Sequence, residues 1–161
     1  HLSIRRQRQM CIRDSSLIVL VFSGCSKSPD SMISIDNAWL REAPPGASAL
    51  AGYLTIHNLS AEDLSLNKAV SEDFGRIEFH QSLEEDGVYK MIPHTHLNIP
   101  ANGKLALAPA SYHLMMIDPM RTLTAGDEVN LTLNFSADLT MTVVMPVTKA
   151  THTEDHSHHH H

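Results

Sequence analysis

The chain has 161 residues, of which 42% are apolar and 19% charged, a composition typical of a globular protein with one hydrophobic core. Its formal net charge is −6 and it lacks a basic patch, which argues against nucleic acid as a partner. Its two cysteines, Cys11 and Cys25, both precede the globular part. This position excludes a disulfide or a cysteine-based metal site inside that part.

The N-terminal segment, residues 1–25, is interpreted as a processing region. We expect residues 1–15 to be foreign to the natural protein, because the stretch MCIRDS resembles a translated sequencing adapter. The apolar run that follows is shorter than the roughly 20 residues that span a bilayer, and it resembles a truncated signal peptide. It ends in Phe-Ser-Gly-Cys, which resembles a bacterial lipobox. We therefore predict a lipid on Cys25, residues 26–31 as a tether, and a periplasmic or exterior domain; the alternative is a buried strand that ends at Cys25.

Short strands separated by turns are predicted throughout residues 32–149. Alternating or short apolar runs, bounded by Gly, Pro, Asn and Asp, occupy 32–42, 49–58, 64–70, 74–82, 88–92, 105–107, 112–117, 129–135 and 139–145. A helical period is not sustained over ten residues in any segment. Seven to nine strands at this spacing predict an all-β domain, a Greek-key β-sandwich or barrel.

The C-terminal segment, residues 150–161, is rich in histidine. We interpret it as a polar tail outside the domain, either a native metal-scavenging tail or in part an expression tag. His152, His156 and His158 are candidate auxiliary ligands in the tail. The interrupted spacing of the histidines before the final run favours a native tail.

Four residues inside the domain form a candidate metal site: His80, Met91, His113 and Met115. Ten residues separate the first two, twenty-one separate Met91 from His113, and one lies between the last two. Two imidazoles and two thioethers make a neutral, soft ligand set that suits Cu(I) better than Zn, Mg or Ca. The set predicts a copper-binding protein if the four side chains converge.

Strand geometry places these residues in pairs. His113 and Met115 are two apart, so they share a face of their strand. A four-residue turn at 84–87 would pair Leu83 with Val88 and place His80 directly opposite Met91. A two-residue turn at Asp86-Gly87 would shift that register, and the sequence leaves both turns open.

Other histidines and methionines have ordinary interpretations as well. A single Met in a strand is usually a core residue, and Met116, on the opposite face from Met115, is assigned to the core. A single His is usually a surface residue. His94 and His96 share a face near Met91, and they are assigned as auxiliary ligands or as solvent-exposed loop residues.

The spacing His80-x10-Met91-x21-His113-x-Met115 resembles the motif of the periplasmic copper chaperones known as the PCuAC family. The likeness covers roughly residues 32–147. Further segments that resemble the family are 86–91, 97–103, 110–115, Trp39-Leu40-Arg41 and Gly52-Tyr53. One departure is the absence of a Met close after His80, where Gln81 and Ser82 stand instead.

The resemblance implies a cupredoxin-like β-barrel that lacks the blue-copper cysteine. It also implies a metallochaperone that holds Cu(I) and delivers it to an acceptor, such as a copper subunit of cytochrome oxidase or another chaperone. A histidine-rich tail in this family is associated with Cu(II). We expect a monomer attached to the membrane by its lipid.

Three other functional classes remain as alternatives. An electron-transfer cupredoxin would need a Cys thiolate, and none follows Cys25. A Zn- or Cu-buffering lipoprotein would use His80, His94, His96 and His113 together with the tail. A structural β-sandwich would bind no metal. The sequence lacks G-x-S-x-G, H-E-x-x-H and Gly-rich phosphate motifs, so we expect no enzymatic activity.

Overall fold

The structure, a computed structural model, describes residues 32–149 as ten β-strands without a helix. No helix in this range could therefore cross a membrane. The strands are β1 (Ile33–Arg41), β2 (Ala49–Asn58), β3 (Leu64–Val70), β4 (Phe74–Glu85), β5 (Val88–His94), β6 (Leu97–Ile99), β7 (Lys104–Leu107), β8 (Tyr112–Pro119), β9 (Glu128–Phe135) and β10 (Thr140–Thr148).

The strands form one continuous sheet that folds back on itself. Its order is β5-β4-β8-β2-β1-β10-β9-β3-β6, and β7 pairs with β2 beside this path. Antiparallel pairing joins all neighbours except β1 and β10, which run parallel. Strand β3 lies against β4 and β2 against β6, so the two halves of the sheet face each other across the core.

Alternation along the strands supplies the core from both halves. In β9, Val129, Leu131 and Leu133 are fully buried, while Asn130 between the first two is exposed. A close approach at Gly52 shows how tightly the halves meet. An added Cβ there would lie 3.0 Å from the sulfur of Met116 and 3.2 Å from the terminal methyl of Met145, so a side chain would have to displace both.

The predicted strands correspond closely to those observed, and the count needs correction. Strands β2 and β3 have the predicted bounds. Residues 32–149 contain ten strands where seven to nine were expected, chiefly because β6, Leu97–Ile99, was not predicted. This strand has three residues, too few for alternation to be recognisable in sequence.

The turn between β4 and β5 is the two-residue alternative. Asp86 and Gly87 both have positive φ, 54° and 75°, as a type I′ hairpin turn requires. Glu85 consequently pairs with Val88, and Ser82 pairs with Met91. Of the two turns that the sequence left open, the structure thus has the shorter one, which Asp-Gly supports, and His80 is not directly opposite Met91.

Adjacent methionines on β8 test the assignment of the two faces. Met116 is fully buried in the core, whereas Met115 is half-buried on the opposite face. We expect Met116→Ala to lower the free energy of unfolding by about 2–5 kcal/mol and Met115→Ala to lower it by less than about 1 kcal/mol. Urea denaturation of the metal-free protein measures both; equal losses would contradict the assigned faces.

Candidate metal centre

The two candidate histidines lie side by side on neighbouring strands. His80 in β4 is directly paired with His113 in β8, and their ring centroids are 6.0 Å apart. Phe79 and Leu114, the paired residues next to them, point into the core. His80 and His113 therefore occupy the face of the sheet opposite the core. Both are well covered, with 15% exposure of the His80 side chain and 4% of His113.

Met115 shares this face with His113. It is two residues further along β8 and pairs with Glu78 of β4 on one side and with Ala51 of β2 on the other. Met115 is half-buried. The structure thus places His80, His113 and Met115 on three neighbouring positions of one face, of which the alternation of β8 predicted the shared face of His113 and Met115.

Met91 lies on the same face but further from the histidine pair. It is opposite Ser82, two residues from His80 on β4, so it is a diagonal neighbour of His80. This register differs by two residues from that of the four-residue turn, and an even shift leaves a side chain on the same face of the sheet. The shorter turn therefore removes the direct opposition of His80 and Met91 but keeps both residues on one face.

The two methionines flank the histidine pair from opposite ends. Met115 is level with Glu78, and Met91 is level with Ser82, a separation of about 13 Å along the strands. Met91 belongs to the edge strand β5 and is 57% exposed. Met115 is thus two residues from His113 on the same strand, whereas Met91 lies one strand further out, diagonal to His80.

Hydrogen bonds define the tautomer of each histidine. Nε2–H of His80 donates to Oε2 of Glu78 at 3.0 Å, because a carboxylate can only accept. Nδ1 of the same ring is buried and has no hydrogen-bond partner among the described residues. Nδ1–H of His113 donates to the carbonyl oxygen of Ser111 at 3.1 Å. The free lone pairs are therefore on Nδ1 of His80 and Nε2 of His113.

Glu78 is a residue of this face that the sequence analysis did not assign to the site. Hydrogen bonds from His80 and Arg76 hold its pKa below the ordinary value, so its carboxylate is ionised at neutral pH. Arg76 bridges Glu78 and Asp118, with contacts of 3.0 and 2.9 Å. The sequence spacing could have indicated Glu78, because a residue two positions before His80 in a strand shares its face.

An aromatic and cationic cluster adjoins the site on the same face. Trp39 and Tyr53 are paired residues of β1 and β2 with ring centroids 4.6 Å apart. The Arg41 guanidinium lies 5.9 and 5.5 Å from the two ring centroids, within cation–π range. Tyr53 follows Ala51, the partner of Met115, by two residues. The segments Trp39-Leu40-Arg41 and Gly52-Tyr53 thus meet beside the histidines.

The auxiliary candidates lie elsewhere. His94 pairs with Phe79, on the face opposite His80, and contacts Gln81. His96 is exposed between β5 and β6. Within residues 32–149, no three His, Cys, Asp or Glu side chains converge as a metal-binding group. The tail candidates and the predicted lipidation site lie outside the described residues: His152, His156, His158 and Cys25.

Comparison with protein families identifies the domain. The family model described as "Putative lipoprotein LpqE-like" matches residues 33–147. The chain belongs to this family. The family is the one that the His80 to Met115 motif resembles, so the recognition of a PCuAC-family protein is confirmed.

Two relatives have similar sequences. An uncharacterized protein of Rickettsia prowazekii (strain Madrid E), RP573, is 35% identical over 86 residues, which are 53% of this chain and 48% of that protein. The chain thus spans about half the length of this relative. "Putative lipoprotein Lxx21020" of Leifsonia xyli subsp. xyli (strain CTCB07) is 28% identical over 71% of this chain and 69% of its own length.

Solved structures share the fold. The copper-bound PCuAC domain from PmoF2 has a TM-score of 0.63 at 21% identity, covering 73% of this chain and 93% of that domain. The solution structure of CuI-DR1885 from Deinococcus radiodurans has a TM-score of 0.55 at 28% identity, covering 71% and 76%. The expected all-β, cupredoxin-like class is confirmed.

The hairpin register can be tested directly by NMR of the metal-free protein. We expect cross-strand nuclear Overhauser effects between Ser82 and Met91 and between Leu83 and Lys90, because these residues are directly paired. Effects joining Leu83 to Val88 instead would indicate the four-residue turn and contradict the position described for Met91.

Proposed function

We propose that this protein is a copper metallochaperone that binds Cu(I) through His80, His113, Met115 and Met91. It delivers the ion to a copper enzyme such as cytochrome c oxidase, directly or through another chaperone. The observation that carries this proposal is the direct pairing of His80 with His113 at a ring separation of 6.0 Å. Two structural relatives, the PCuAC domain from PmoF2 and CuI-DR1885, hold copper, which supports the same cargo.

The separation of the rings suits a shared ion. Because imidazole nitrogens bind metals at about 2 Å, two rings on one ion have centroids within roughly 6 Å of each other. The 6.0 Å between the ring centroids of His80 and His113 lies at that limit. The thioether of Met115 is the third donor nearby, and neutral nitrogen and sulfur donors favour Cu(I).

Exposure of the ligands suits an ion that must be passed on. His113 is buried, His80 is mostly covered, and Met91 on the edge hairpin is open to solvent. An acceptor would approach from the Met91 side and replace the ligands one after another. Methionine also resists the oxidation that disables thiolates outside the cytoplasm, although it can itself be converted to the sulfoxide.

The family's lipoprotein description supports a membrane-anchored protein. We place the domain in the periplasm, attached through a lipid on Cys25. The role we assign is binding and transfer, without catalysis. The acceptor would then be another protein facing the same compartment.

Replacing methionine by leucine tests the ligands with little change in volume. We expect Met115→Leu to lower Cu(I) affinity at least by the roughly 10–100-fold typical of losing an outer-shell partner, because a donor atom itself is lost. Met91→Leu should lower it less, since Met91 lies further from the histidine pair. Competition with a colorimetric Cu(I) chelator measures both affinities.

The matched control is Met116→Leu, which removes a thioether from the core side of the same strand. It should leave Cu(I) affinity unchanged. If Met115→Leu bound Cu(I) as tightly as Met116→Leu, the thioether assignment would be wrong.

Metal selectivity and stoichiometry separate the chaperone from a buffering lipoprotein. We expect a protein ending at residue 149 to keep one tightly bound Cu(I). Excess Zn(II) should displace only a small fraction of this Cu(I), because thioethers are poor ligands for Zn. Loss of all tight copper binding on removal of residues 150–161 would favour buffering by the tail instead.

A further inference from the structure

A hydrogen-bonded series of polar side chains runs from His80 through Glu78 and Arg76 and includes residues other than the four candidate ligands. Arg76, Glu78 and His80 alternate along β4 and therefore share the face that carries the candidate site. Each oxygen of Glu78 has its own partner, with Oε1 accepting from Nε of Arg76 at 3.0 Å and Oε2 accepting from Nε2 of His80 at 3.0 Å. Nη1 of Arg76 also donates to Asp118 at 2.9 Å. The carboxylate is thus held from both sides.

The two histidines are fixed in opposite tautomers. A carboxylate holds the proton of His80 on Nε2, and a backbone carbonyl holds the proton of His113 on Nδ1. The free nitrogen of His80 is Nδ1, which is buried and without a hydrogen-bond partner among residues 32–149. A buried ring nitrogen in that condition is costly unless it binds something, so it is an available donor for a metal.

We propose that Glu78, held in place by Arg76, is a positioning residue that makes His80 bind copper through Nδ1 while His113 binds through Nε2. This inference rests on the proposed function and adds the outer-shell residue of the same site. An ion on Nδ1 lies closer to its own strand than one on Nε2. One short and one long reach therefore let two directly opposed histidines meet a single ion from a 6.0 Å ring separation.

Charge gives Glu78 a second effect on the site. The four candidate ligands are neutral, so Cu(I) would bring one uncompensated positive charge onto this face. The carboxylate next to His80 offsets that charge and strengthens the donor character of the ring. The Ser111 carbonyl supplies only a dipole to His113. Glu78 is thus expected to matter more for copper affinity than its exposed position suggests.

The test combines a tautomer measurement with copper affinity. In the metal-free protein, ¹⁵N NMR of the imidazole nitrogens should show His80 protonated on Nε2 and His113 protonated on Nδ1. Glu78→Ala should give His80 a mixture of tautomers and lower Cu(I) affinity about 10–100-fold. Glu78→Gln, whose amide oxygen still accepts from Nε2–H, should keep the tautomer and lose less affinity.

Glu85→Ala is the control. It removes an equal charge from the same strand, at a carboxylate that contacts Lys90 on the opposite face of the hairpin. Its affinity and the His80 spectrum should match those of the unaltered protein. Protonation of Nδ1 on His80 in the unaltered protein, or equal Cu(I) affinity in Glu78→Ala and Glu85→Ala, would overturn the inference. Failure of the unaltered protein to bind Cu(I) would instead overturn the proposed function.

Discussion

The antiparallel pairing of β4 with β8 is the constraint on which the candidate site depends. It sets His80 opposite His113 and, two residues further along each strand, Glu78 opposite Met115. A slip of one residue would send every side chain of one strand to the other face and separate the histidines. The register is held from the core side, where Phe79 and Leu114 are paired and buried. The free energy of burying apolar side chains thus fixes the geometry of the polar face.

Each strand around the site serves two purposes at once. On β8, Leu114 and Met116 are fully buried, and His113 and Met115 between them face the other way. Burial of the core-facing side chains therefore stabilises the backbone that carries the candidate donors. The candidate donors themselves are not part of the hydrophobic core. Under the proposed function, this separation would let the ligands exchange a bound ion without disturbing the core.

The candidate ligands differ in exposure, from buried residues on inner strands to an exposed residue on the edge strand. Its histidines stand on central strands and have their second nitrogens held by Glu78 and Ser111. Met91 stands on a two-stranded hairpin at the sheet edge, where β5 has only β4 beside it in the described part of the chain. A two-stranded hairpin bends more readily than the middle of a sheet. The structure thus combines two hydrogen-bonded imidazoles on inner strands with one exposed thioether on the edge strand.

Local sequence determined most of the strands and the choice of candidate metal donors. Alternation gave the faces of β8 and β9, and the spacing of two His and two Met pointed to soft-metal chemistry and to the family. It could not choose the hairpin turn, although Asp86-Gly87 is a favourable pair for a two-residue turn, and it did not detect the three-residue β6. Only the tertiary structure decided that His80 meets His113 and that Glu78 holds His80. More than thirty residues separate the two histidines, and pairing at that distance is set by packing across the whole core, which no local pattern encodes.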